Sequence, residues 1–240
     1  QYKILLERGP GRISPFFIPM VITNLAAGQI SISFGAKGPS YCVTSACASG
    51  AHSIGEATEM IRRGVTDVMI AGGAEATVCS TAIGGFAAMR ALSTRNDSPT
   101  RASRPWDKDR DGFVLSEGAA TLILEEREFA IRRGATILAE VVGYGASSDA
   151  NHMTSPAPGG AGAVQAMSLA LENAKLNPED IGYVNAHGTS TPTGDELETE
   201  AIKTVWGYKS KKVWVSSTKS VTGHTLGAAG AIESVCCVMA

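Results

Sequence analysis

No stretch of this chain is long and apolar enough to cross a bilayer as a helix, and Gln1 to Pro10 do not show the charged, then apolar, then small layout of a secretory signal. Charge of one sign is also missing: 21 basic against 23 acidic residues leave a net charge of −2. Nothing therefore draws the chain to nucleic acid over a distance, and no basic run is interleaved with aromatics. The five cysteines, at 42, 47, 79, 236 and 237, form no C-x-x-C pair. Their odd number fits reduced thiols better than a disulfide framework, and four of them, including the adjacent Cys236 and Cys237, read as core filler. Repeats, low-complexity tracts and flexible linkers are absent as well. What is present is 240 residues with 44% hydrophobic side chains, enough for one large or two small domains. A start at Gln1 rather than Met leads to the expectation of a processed or truncated chain.

Hydrophobic rhythm predicts an α/β arrangement. Strands are expected at 41–46, 65–71, 119–124, 137–145, 181–186 and 212–217, with helices at 48–63, 125–133, 162–175, 195–206 and 227–239. In the first helix Ala51, Ile54, Thr58 and Ile61 recur on one face. Turn formers and charge crowd the stretch from Ser93 to Gly112, which predicts a long loop, and long loops in compact domains are more often functional than idle. A second loop, rich in Gly and Pro, is expected at 151–160. A soft boundary near Gly134 divides the chain into halves of 1–134 and 135–240.

Three short strings bear chemistry: Ser45-Ala46-Cys47-Ala48-Ser49-Gly50, Asn185-Ala186-His187-Gly188-Thr189-Ser190-Thr191, and Lys219-Ser220-Val221-Thr222-Gly223-His224. Each lies on a glycine-rich turn beside an apolar run, at a strand end, where open α/β sheets place their ligand crevices. A free thiol titrates near pH ~8.5, so a cysteine nucleophile needs help to ionise; a helix N-terminus after Cys47 would supply it. From position alone Cys47 is either a buried structural cysteine or a nucleophile. Two neutral imidazoles, His187 and His224, tip the reading toward nucleophile, because ring N–H groups can hold an oxyanion or enolate as charge develops. The same thiolate and two imidazoles also match a zinc set. His52, inside the first helix, and His152, in the second loop, receive no role.

These residues carry a resemblance. With Ala71-Gly72-Gly73-Ala74-Glu75, Ala91-Leu92-Ser93, Arg104-Pro105-Trp106-Asp107, Asp111-Gly112-Phe113-Val114 and Ser216-Ser217-Thr218-Lys219-Ser220, the chain resembles, over essentially its whole length, the elongating β-ketoacyl-acyl-carrier-protein synthases of type II. The Cys-His-His set separates it from starter synthases with Asn for the second His, and from thiolases, which use a second Cys. The resemblance implies a thiolase-like fold of two similar βαβαβ halves in an α-β-α-β-α layered core, here a central fragment incomplete at both ends. It also implies a homodimer in the cytoplasm or plastid stroma, and condensation without cofactor or metal. A ketosynthase domain of a polyketide assembly line shares all three motifs; a non-catalytic chain-length partner of the same fold would lack Cys47.

The resemblance further assigns roles. Cys47 would take an acyl group from acyl carrier protein, with its backbone N–H in the oxyanion hole. His187 and His224 would support decarboxylation of the malonyl partner. Lys219 would be an ordered charge anchored by Glu233, Asp195 would brace the loop after His187, and Thr189 and Thr191 would bond the pantetheine arm. Asn185 and Glu233 sit near a monovalent cation in some relatives. Carrier protein is acidic, so Arg90, Arg95, Arg101, Arg104, Lys108 and Arg110 are candidate docking cations. Residues 1–240 alone are expected to have little condensing activity.

Overall fold

The structure is a computed structural model that describes residues 1–240, the side chain of Lys211 excepted. Backbone contacts divide it into residues 1–43 and 44–240. The first unit carries three short helices, α1 (Tyr2–Arg8), α2 (Phe17–Val21) and α3 (Leu25–Phe34), none with a buried residue. Helix α3 ends on Gly35 in the left-handed region (φ 64°), where a Cβ would be strained.

The second unit runs α4 (Ser49–Arg62), β1 (Val68–Glu75), α5 (Ser80–Ala88), β2 (Gly118–Glu125), α6 (Arg127–Arg132), α7 (Ala161–Ala174), β3 (Tyr183–Asn185), α8 (Pro192–Trp206), β4 (Trp214–Ser216), α9 (Lys219–Thr222) and α10 (Ala229–Met239). Strands β1 and β2 pair antiparallel, Val68 opposite Glu125 and Glu75 opposite Gly118. Along β2 the side chains alternate, so Ala120, Leu122 and Leu124 join Met69 against a core of Ile54, Ala57, Ala71 and Ala231. Strands β3 and β4 pair in parallel, Tyr183 opposite Trp214. A second core of Ile202, Trp206 and Val213 packs with Met167, Ile181, Val184 and Val205.

Glycines set how closely these layers meet. A Cβ on Gly50 of α4 would lie 2.7 Å from the Ala231 nitrogen of α10, and one on Gly73 would lie 2.6 Å from the Gly227 oxygen. No real Cβ sits so close. The N-terminal ends of α4 and α10 therefore pack backbone on backbone, which draws Cys47, just before α4, toward His224, just before α10.

Several expectations are corrected. The strands at 41–46 and 137–145 do not form: the two ladders among the described residues involve neither segment. At the second, side chains hold the backbone instead, with Arg62 Nη2 donating to the Val142 oxygen (2.8 Å) and Tyr144 N donating to Asn173 Oδ1 (3.1 Å). The strands at 181–186 and 212–217 shrink to three paired residues each. On α4 the buried face is Gly50, Ile54, Gly55, Ala57 and Thr58, while Ala51 is exposed and Ile61 half-buried. Cys42, Cys79 and Cys237 are exposed rather than core filler, because a short apolar run does not say which of its side chains turns outward; the five cysteines are not joined in disulfides. The stretch 93–112 is irregular apart from a 3-10 turn at Pro99–Arg101. No helix is long and apolar enough to cross a membrane.

Candidate active site

Cys47 sits on a turn that begins with Ala46 at φ 50°, a left-handed conformation that a Cβ disfavours. Local bonds hold it there: Ser49 Oγ donates to the Ala46 oxygen (2.7 Å) and accepts from Ser45 N (2.9 Å). His224 is positioned by a strand-like bridge, its N donating to the Val114 oxygen (2.7 Å) and its oxygen accepting from Ser116 N (3.1 Å). The rings of Phe113 and His187 meet the His224 imidazole edge to face, at 5.3 and 5.1 Å between centroids. The outcome is that Cys47 Sγ lies 3.0 Å from His224 Nε2. The reactive atoms of Cys47, His187 and His224 all lie within 4.8 Å of one another.

His187 follows β3, and Lys219 follows β4, so the parallel pair delivers both at its C-terminal end. The Lys219 side chain is 1% exposed and ion-paired with Glu233. The backbone at His187 is gripped by a carboxylate that sequence reasoning missed: Glu198 accepts from His187 N (2.6 Å) and Gly188 N (2.7 Å). A signal existed, since Asp195 and Glu198 stand three residues apart near the start of α8 and share a face. Asp195, fully buried, accepts from Ser190 N (3.1 Å) and Trp106 N (2.9 Å) and pairs with Arg110 Nε (3.1 Å). It thus ties the long loop to the turn after His187. Ser217 completes the clasp, its Oγ donating to the Gly188 oxygen at 2.8 Å.

The two threonine hydroxyls, Thr189 and Thr191, stand 3.0 Å apart on the same turn. Asn185 buries both amide atoms without a hydrogen-bond partner among the described residues, near the Cys237 thiol, while Glu233 is taken by Lys219. Of the six candidate docking cations, Arg104 and Arg110 turn inward. Arg104 reaches the Asp109 oxygen and Asp111 (3.2 Å), and Arg110 donates to the Thr191 (3.0 Å) and Pro192 (2.5 Å) oxygens. Both are clamps of the loop, since its own acids and the carbonyls of α8 compete successfully for them. Arg90, Arg101 and Lys108 stay exposed.

Electrostatics set the protonation states. Burial pulls His224 down to about 4, with the Lys219 ammonium acting in the same direction. Desolvation by the surrounding protein, then the Lys219 ammonium, then His224, lowers His187 to about 3. Both imidazoles are neutral at physiological pH. For Cys47 the helix-terminus expectation is overturned in net effect: burial pushes the thiol up, and Glu75 and Glu233 add to that, against the lowering by Lys219 and by its own backbone N–H. The resting sulfur is a thiol, and its proton has an acceptor in His224 Nε2. The same three groups form a donor set for zinc, but the ammonium that acts on all of them repels a divalent cation.

The chain as a whole is similar to known proteins. Residues 1–130 match the family model described as beta-ketoacyl synthase, N-terminal domain, and residues 138–240 match its C-terminal domain. Two relatives named 3-oxoacyl-acyl-carrier-protein synthase 2 are similar over the whole chain: that of Coxiella burnetii at 55% identity over 239 residues and that of Synechocystis sp. at 53% over 240. The chain spans 58% of the length of each. A type II polyketide ketosynthase, solved with its acyl-carrier protein and bound to the hexaketide, superposes with a TM-score of 0.94 at 38% identity, over 96% of this chain and 57% of that one. A beta-ketoacyl synthase from Burkholderia phymatum superposes at 0.92 and 44%, over 99% and 57%. The fold is thus the thiolase-like ketosynthase fold, and with both family domains matched along it, the chain belongs to the beta-ketoacyl synthase family.

Proposed function

We propose that the protein catalyses decarboxylative condensation of an acyl-Cys47 thioester with malonyl-acyl carrier protein, the elongation step of fatty acid synthesis. The observation that carries this reading is the 3.0 Å contact between Cys47 Sγ and His224 Nε2 with the His187 ring beside it. His224 Nε2 takes the thiol proton, the thiolate attacks the acyl thioester, and the departing carrier thiolate takes that same proton from His224 as it leaves, which returns the ring to its neutral form. The backbone N–H of Cys47 faces the oxyanion formed in that step. Malonyl thioester then binds with its carbonyl oxygen toward the two imidazoles. As carbon dioxide leaves, N–H groups of His187 and His224 hold the enolate charge. The enolate carbon attacks the acyl carbonyl on Cys47, the sulfur departs as thiolate, and a β-ketoacyl carrier two carbons longer is released. These steps use side chains and backbone only, without cofactor.

Lys219, held by Glu233, keeps both rings unprotonated, so that each has a donor to offer and a lone pair to spare. Asp195 acts as a brace of the His187 turn, and Thr189 and Thr191 take the pantetheine arm. Acidic acyl carrier protein is the partner, drawn by exposed Arg90, Arg101 and Lys108 with half-buried Arg95. We also propose a homodimer in the cytoplasm or plastid stroma, and a division into ketosynthase halves near Gly134, supported by family matches that end at 130 and resume at 138. The likeness to the hexaketide-bound ketosynthase favours a second reading, elongation in polyketide assembly; the higher identity to the synthase 2 relatives ranks it below the first. A chain-length partner is opposed by Cys47 itself.

The test is acylation of the full chain by acyl carrier protein loaded with a saturated acyl group, followed by peptide mass spectrometry. Added mass on Cys47 and its loss by at least about a thousandfold in Cys47→Ala are expected. Acyl transfer that survives that substitution would reject the reading.

A further inference from the structure

His52 was given no role by the sequence, yet its ring reaches the back of the nucleophile turn. Its Nδ1 lies 2.7 Å from Ser45 Oγ. Ser45 N in turn donates to Ser49 Oγ (2.9 Å), whose single hydrogen goes to the Ala46 oxygen (2.7 Å). Ser49 and His52 are three residues apart on α4, so both face the turn from the first coil of the helix. Behind the imidazole stands Tyr144, edge to face at 6.3 Å and 81°. Tyr144 is seated where Gly55 has no side chain: a Cβ there would fall 2.2 Å from its ring. A continuous line of contacts therefore runs from Tyr144 through His52, Ser45 and Ser49 to the one strained residue next to the reactive sulfur.

We propose that His52 is a positioning residue for Cys47, the outer end of a strut with Ser45 and Ser49 that holds Ala46 in its left-handed conformation and so keeps the sulfur in line with His224. The proposal rests on the reading of Cys47 as nucleophile. Two features support the assignment. Ala46 would relax toward ordinary backbone angles without support, and every bond of the strut converges on that residue or its neighbours. The strut also carries hydroxyls and an imidazole where a carboxylate would do the same mechanical work. Negative charge from Glu75 and Glu233 already raises the thiol, and another carboxylate behind the turn would raise it further.

The test follows acylation of Cys47 in the full chain by the N-acetylcysteamine thioester of a medium-chain acid, as a function of thioester concentration. Iodoacetamide labelling of the exposed Cys79 serves as the reference for an intact fold. In His52→Ala the maximal acylation rate is expected to fall about fivefold to tenfold, the size of one lost buried hydrogen bond, with the half-saturating concentration unchanged. His52→Asn places an amide oxygen where Nδ1 was and should return the rate to within about twofold of the parent. Ser45→Ala removes the same bond with one atom, which keeps the question open to measurement should His52→Ala not fold; the double variant should be no slower than either single one. A parent chain that acylates at Cys47 together with unchanged rates in His52→Ala and Ser45→Ala overturns the strut alone. Asn failing to rescue while Ser45→Ala stays fast also overturns it, by reducing His52 to packing. A parent chain that does not acylate at Cys47 rejects the condensing-enzyme reading and the strut with it.

Discussion

The turn carrying Cys47 and the loop carrying His187 deliver atoms to the same small volume, yet they are held by opposite means. Around Cys47 the supports are hydroxyls and an imidazole: Ser45, Ser49 and His52 bond one another and the Ala46 carbonyl. Around His187 they are carboxylates, half-buried Glu198 on the His187 and Gly188 N–H groups and buried Asp195 on Ser190 and Trp106. Each choice suits the reactive group beside it. A thiol that must become an anion is hindered by nearby negative charge. Neutral imidazoles tolerate it where Lys219 offsets it, and a carboxylate grips two N–H groups more firmly than a hydroxyl does. Rigidity can thus be supplied by carboxylates or by hydroxyls, and the electrostatic demand of the chemistry selects which.

The sharpest way to break this comparison is to remove the charged support. Glu198→Ala removes the carboxylate that accepts from the His187 and Gly188 N–H groups, for an expected loss of about 2–3 kcal/mol by urea denaturation. Malonyl decarboxylation should fall by about one to two orders of magnitude, because that step leans on His187.

Acid probes the same region. In the folded chain His224 titrates at about 4, below the ordinary 6.5 of an unfolded chain, so as pH falls the unfolded state takes up the proton first. His224 is 3% exposed, and its contribution is a stability loss that begins near pH 6.5 and grows toward pH 4, by up to roughly 3 kcal/mol. Denaturation curves at pH 7, 5.5 and 4.5 should show that decline, and His224→Asn should flatten part of it.

On the hydroxyl side the effect is smaller. Ser49→Ala deletes one hydroxyl and two bonds at a half-exposed turn, for about 1–2 kcal/mol in the same denaturation assay. If Ser49→Ala costs as much as Glu198→Ala, the contrast between the two regions fails. The smallest effect is expected at His152, whose Nδ1 accepts from Thr154 N (3.1 Å) and Ser155 N (3.2 Å) and lies 3.5 Å from Thr154 Oγ1, all in its own exposed loop. His152→Ala should stay within about 0.5 kcal/mol of the parent, with acylation unchanged.

Much of the fold was legible because it is written in local patterns. The apolar alternation of β2 and the period of α4 and α8 each belong to a few consecutive residues. The segments 41–46 and 137–145 look like strands by the same local measure and are not, since a strand also needs a ladder partner. The candidate site was legible in Cys47, His187, His224 and Lys219, which the fold brings together, because each stands in a short glycine-rich string beside an apolar run. Its supports were less so. Glu198 reads as one more acid on a polar helix until the loop it grips is folded onto it. Arg104 and Arg110 read as free cations until Asp111 and Asp195 are seen to hold them.

The chain's order of residues alone determined which side chains are candidates for chemistry, the glycine turns that present them, and the family to which those strings belong, because such features depend on neighbours within a few positions. Tertiary structure alone decided that a sulfur and an imidazole 177 residues apart would meet at 3.0 Å, that burial would raise the one and lower the other, and that hydroxyls would hold the first turn while carboxylates hold the second. The physical reason is range: desolvation, Coulomb forces and hydrogen bonds act through space over a few ångströms, and only the folded chain says which atoms are that near.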